Sequence, residues 1–173
     1  MPDSTELALM TASLPAALTF VFQRVEHLLS KRGEQPENDV TPPDALVGTL
    51  QLPLQPDTGR LREQRDQLEA LRDAVADYAH GDVPAHPSPA LLRNVARLRA
   101  ALEDIYGQHL TFRGENRPDS GPFVHQKSDT LDGKLTGMDA EEITGDTRVV
   151  QDIGKVGRDA KLIGMKARRI GPQ

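Results

Sequence analysis

The residues best placed to do chemistry lie in Arg113-Gly114-Glu115-Asn116-Arg117-Pro118-Asp119-Ser120-Gly121-Pro122. Arg113, Arg117 and Asp119 set guanidinium groups and a carboxylate among turn residues, at a change of composition where binding sites often form. Such a set could hold a small polar ligand. The plainer reading is an ordered connector in which the arginines pair with neighbouring carboxylates.

A second concentration of charge sits in a near-repeat. Lys134-Leu-Thr-Gly-Met-Asp139-Ala-Glu141-Glu142-Ile143 returns as Lys161-Leu-Ile-Gly-Met-Lys166-Ala-Arg168-Arg169-Ile170. The shared Lys-Leu-x-Gly-Met-x-Ala-x-x-Ile frame reads as structural. The differing positions turn Asp139, Glu141 and Glu142 into Lys166, Arg168 and Arg169. If the copies stack in register, acid faces base, within one chain or head to tail between chains. The bland alternative is two solvated strand edges with unrelated charges, since surface pairs are worth only about 0–1 kcal/mol each.

Other chemistry is thin. Nucleophile-elbow, Walker-type and dinucleotide-binding glycine motifs do not occur. His27, His80, His86, His109 and His125 show no paired ligand spacing, and His27 reads as a helix-surface residue. Glu103-Asp104 falls outside the apolar stripe of its helix and reads as a solvated face. With no cysteine, thiolate sites and disulfides are excluded, which fits a cytoplasmic location. No catalytic residue, cofactor or metal is therefore expected.

The elements that carry these residues follow from periodicity. Ser13 and Pro15 open a helix with Leu14, Leu18, Val21, Val25 and Leu28 along one stripe, stopped at Gly33. A shorter turn is expected at 5–11. A second helix runs from about Arg60 to His80, and a third from Ser88 and Pro89 to Tyr106 before Gly107. Their matching stripes predict an antiparallel helical hairpin joined by a short loop. Between the first two helices, 33–45 is linker-like, with three prolines and four acidic residues. Alternation in Leu46-Val-Gly-Thr-Leu-Gln-Leu-Pro-Leu54 predicts a half-buried edge strand, and 109–113 a short one.

From Phe123 the pattern becomes glycine-punctuated with β-branched residues. Val124-His-Gln126 and Val149-Val-Gln151 extend the two copies upstream, and Leu131 and Val156 follow, with two extra residues in the second copy. The cadence of small apolar steps between glycines is similar to that of bacterial bactofilin scaffolds over about the last 50 residues, and that resemblance implies one or two β-solenoid coils. An antiparallel meander and a partly helical tail are the alternatives, since Met138-Asp-Ala-Glu-Glu and Met165-Lys-Ala-Arg-Arg are good helix formers.

The expected fold is α+β: about three helices with a docked strand over 1–114, then a C-terminal β repeat, meander or short solenoid-like stack, over 115–173. The 173 residues, 37% hydrophobic and 3% aromatic, argue against one large core. Net charge −5 argues against nucleic acid as a partner. Arginine and alanine usage points to a high-GC bacterial source. The uncharged run 7–23, of which 7–22 is the candidate insertion segment, spans about 26 Å as a helix, slightly short of a bilayer core, and the acidic residues before it do not suit a signal peptide. The function expected is a non-enzymatic interaction or assembly module, an adaptor or small structural subunit. It would bind protein partners, itself included, at Arg113, Arg117, Asp119 and the charged repeat positions. A membrane-associated accessory protein using 7–22 is the rival, and a small-ligand binder or enzyme at 113–119 the least favoured.

Overall fold

The computed structural model describes residues 13–131, 134–143 and 148–170. The chain is mixed α+β and divides into two compact units, Met1–Ser120 and Gly121–Gln173. The expected turn at 5–11 lies outside the described residues.

In the first unit, α1 spans Leu14–Leu29, α2 Thr58–His80 and α3 Pro89–Tyr106. The five stripe residues of α1 are fully buried. They meet Leu61, Leu68, Leu71 and Val75 of α2 and Leu91, Val95, Leu98, Leu102 and Ile105 of α3 in one apolar core. Helix starts follow local chemistry. The Asp57 side chain accepts from Arg60 N at 3.0 Å and the Ser88 hydroxyl from Leu91 N at 3.1 Å, each satisfying an orphan amide of the first turn. Gly107 closes α3 at φ 62°, ψ 32°, the left-handed conformation that favours glycine.

Two expected helix ends differ. Ser13 stands at the start of α1, but its hydroxyl donates to Arg113 O at 2.8 Å instead of capping the helix. The helix stops at Leu29, and Ser30 N closes it on the carbonyls of Glu26 and His27. Gly33 is nevertheless required, because a Cβ there would lie 1.9 Å from the Leu28 carbonyl oxygen.

The expected strand at 46–54 does not form. Its backbone groups are divided among several partners: Val47 N donates to Thr111 O, Ser120 N to Val47 O, Leu54 N to Glu37 O, and Gln51 exchanges two bonds with the Gln108 side chain. Only isolated bridges result, Leu46 with Phe112, Gly48 with Ser120 and Leu54 with Glu37. A continuous ladder needs one neighbour along its length. Gly48, at φ 91°, lets the chain pass close to the Ser120 backbone. Leu50, Leu54, Leu110 and Phe112 still reach the core. Of the expected strand at 109–113 only β1, Gln108–His109, is regular.

The second unit contains β2 (Gly121–Leu131), β3 (Lys134–Ile143), β4 (Arg148–Val156) and β5 (Lys161–Ile170). Strand β2 pairs with β4 and β3 with β5, both parallel. Successive strands are therefore not hairpin partners, as a meander would require, and 138–142 and 165–169 are strand, not helix. Val124 stands opposite Val149, an offset of 25, and Lys134 opposite Lys161, an offset of 27. The difference matches the two extra residues that the sequence places between Val156 and Lys161 relative to Leu131 and Lys134.

Among the described residues no helix is long and apolar enough to cross a membrane. The stripe of α1, including Leu18 and Val21 of the 7–22 segment, packs within the helical unit.

Gly33→Ala should lower unfolding free energy by about 1–3 kcal/mol, the usual cost of overpacking a tight site. Urea denaturation checks this, and a stability equal to that of the parent would contradict the close approach to Leu28.

Candidate functional site

The loop 113–120 belongs to the helical unit because two ion pairs tie it to α3. The Arg99 guanidinium pairs with the Glu115 carboxylate, their side chains 5% and 0% exposed. Glu115 Oε2 also accepts from Phe112 N at 2.7 Å. One turn along α3, Glu103 accepts from Arg117 Nη2 at 3.0 and 2.9 Å and from Leu110 N at 2.8 Å. Ser120 and Thr111 exchange hydroxyl and backbone bonds between the two limbs.

The three loop residues singled out above therefore have different fates. Arg117 is directed onto Glu103. Arg113 is exposed, and its Nη2 donates to Asp44 O at 2.9 Å while its amide donates to Ala45 O at 2.7 Å. Asp119 is exposed beside Gly48. The Arg117 guanidinium and the Glu103 carboxylate stabilise one another.

Glu103 overturns the expectation of a solvated face, being only 8% exposed. Its neighbour Asp104 is on the surface, paired with Arg60 and accepting from Gln64 Nε2 at 2.6 Å. The apolar stripe alone could not separate these two adjacent acids. Arg117, fourteen positions on, supplies the partner that makes burial of Glu103 tolerable.

A third polar cluster was not foreseen. Arg24 Nη1 lies 2.7 Å from Glu37 Oε1, with side chains 10% and 11% exposed, and the guanidinium stacks 5.4 Å from the Phe20 ring centroid. His27 Nδ1 is 3.8 Å from the same oxygen, so His27 is half-buried and not a plain surface residue. Tyr106 is buried nearby with no hydrogen-bond partner for its hydroxyl, and Glu37 Oε2 and His27 Nε2 are likewise unpartnered. Burial, then the Glu37 charge, pushes the Tyr106 phenol well above its ordinary range, with Arg24 opposing. The signal existed in the sequence: Arg24 lies three residues after Val21 and four before Leu28, within the apolar stripe.

Elsewhere the helical unit has an open cleft of about 330 Å³ at the end of α1, lined by Leu28, Lys31, Gly33, Glu34 and Arg65 among others. Arg65 is partly committed there, donating to Leu29 O at 3.0 Å. Among the described residues no three His, Asp or Glu side chains gather to hold a metal ion.

The charged positions of the repeat are brought together in the second unit. Asp139 stands opposite Lys166 and Glu142 opposite Arg169, and the same register sets Glu141 beside Arg168. Lys166 and Arg168 are exposed. Gln151 Nε2 donates to Ile163 O at 3.1 Å, joining β4 to β5 across the two pairs. The chain matches no protein family, no curated protein and no solved structure with which it was compared.

Glu115→Ala should cost about 3–5 kcal/mol, because it removes a buried carboxylate that pairs with Arg99 and accepts from Phe112 N. Replacing both partners, Arg99→Met with Glu115→Leu, should recover much of that loss; a double variant as unstable as the single one would contradict the reading. Tyr106 gives a pH test. Its folded pKa lies above the unfolded value near 10, so the folded state holds the proton more tightly. Stability is full below about pH 10 and falls as pH rises through the folded value. Tyr106→Phe should remove part of that alkaline loss, read as melting temperature against pH, and should leave stability at pH 7 unchanged or higher.

Proposed function

We propose that this chain is a non-enzymatic protein-interaction or assembly module whose C-terminal β repeat is the element to which further strands add. The observation that carries this is the β3–β5 pair. It is a two-stranded parallel sheet, so each strand has one edge with no partner among the described strands. Parallel pairs are the less stable kind and are ordinarily covered on both faces. A two-stranded sheet is marginal by itself. Val156 and Leu162 are 56% and 45% exposed, apolar surface that an added partner would cover.

The finer arrangement proposed is a short solenoid-like stack of two coils, β2 with β3 forming one and β4 with β5 the other. Counterpart residues in parallel register support a stack over a meander. Stacked repeats need a cap or a neighbour at their open ends, and two copies are fewer than such arrays usually contain. The loop 113–119 fits better as a connector, given the internal commitments of Arg117 and Glu115.

Light scattering over a wide concentration range tests the reading. Mass should rise with concentration for the intact chain, less for Met165→Asp, and not at all after removal of 145–173. A monomer at every concentration would overturn it.

A further inference from the structure

We infer that the strand-adding partner is a second copy of this chain, docked head to tail so that β5 of one copy lies beside β3 of the next. The inference rests on the assembly reading above and specifies its geometry.

Within the chain, β5 lies on β3 at an offset of one repeat, and the frame residues meet their own counterparts: Leu135 with Leu162, Met138 with Met165, Ala140 with Ala167 and Ile143 with Ile170. The outer edge of β5 and the outer edge of β3 have no partner among the described strands. A second copy added to β5 through its own β3 would extend the same ladder with the same apolar matches. Backbone hydrogen bonding and apolar matching are thus already solved once inside the chain.

Charge selects this pairing over its competitors. The β3 positions that differ in charge between copies are Asp139, Glu141 and Glu142, and the β5 positions are Lys166, Arg168 and Arg169. In a head-to-tail contact Lys166, Arg168 and Arg169 of β5 again stand beside Asp139, Glu141 and Glu142 of β3, while Lys161 stands beside Lys134 as it does within the chain. In a parallel β5–β5 contact Lys166, Arg168 and Arg169 would each face themselves, and in a β3–β3 contact the three acids would. Like charges directly opposite in a sheet are destabilising and unlike charges stabilising. The contact is heterologous, using two different edges, so it propagates unless something blocks it. Association should therefore be open-ended and should weaken as salt is added.

The test is a charge exchange that keeps the internal pairing intact: Asp139→Lys, Glu141→Arg and Glu142→Arg together with Lys166→Asp, Arg168→Glu and Arg169→Glu. This exchanged chain retains acid opposite base within itself and should self-associate like the parent. It should not join the parent, because each mixed junction sets base beside base or acid beside acid. Two-colour cosedimentation of N-terminally labelled parent and exchanged chains should show each assembling with itself, and mixed association at least about tenfold weaker. Free mixing of the two would overturn the head-to-tail inference while leaving association through the repeat standing. A parent chain that stays monomeric would overturn the assembly reading itself. An exchanged chain that fails to fold is recognised by circular dichroism. The single exchange Asp139→Lys/Lys166→Asp, which keeps the internal pair unlike in sign, then replaces it. It should join the parent more weakly than it joins itself, because each mixed junction sets one like-charged pair side by side. Equal joining would also overturn the inference.

Discussion

Parallel pairing at an offset of one repeat is the constraint from which the second unit follows. Two parallel strands cannot be joined by a tight turn, so the chain must cross over between them. Here β3 is part of the crossover from β2 to β4, and β4 part of the crossover from β3 to β5. Two interleaved pairs are the outcome. Paired residues of the two copies stand beside their counterparts, and apart from Lys134 with Lys161 the shared positions are apolar or small. A Met–Met or Ile–Ile neighbour tolerates repetition well, whereas like charges side by side are destabilising. Reversal of sign between the copies sets Asp139 opposite Lys166 and Glu142 opposite Arg169.

The helical unit obeys a different constraint. Its apolar stripes account for the three-helix core, but the connecting segments are placed by buried polar groups. Arg99 with Glu115 and Arg117 with Glu103 fold the loop after α3 back against that helix. The loop then supplies Thr111 O and Ser120 N to Val47, which orders a segment that has no ladder of its own. Such pairs contribute little net stability over an apolar replacement, yet removing one partner is costly. Their role is to choose one path for the loops. The Arg24–Glu37 contact does the same on the other side, where Glu37 also pairs its backbone with Leu54.

Much of this was legible in the sequence, and the misses have physical causes. Helices were readable because their stripes, caps and stops are local: Ser88, Pro89 and Gly107 bound α3 where the pattern put them. The alternation in 46–54 was misleading because period-two burial requires only that a segment lie against a core. It does not require a neighbouring strand, and here the hydrogen bonds go to scattered partners. Glu103 and Asp104 could not be told apart without Arg117, and Ser13 could not be excluded as a cap without Arg113.

The sequence by itself determined the three helices, their core residues and the correspondence between the two copies, because each depends on spacing along one chain. Only the tertiary structure decided that the copies pair side by side in parallel, that their acidic and basic positions are neighbours, and that the charged loop is a bracket for α3. Those outcomes depend on which distant segment supplies the partner for a backbone edge or a buried charge. No local pattern carries that information.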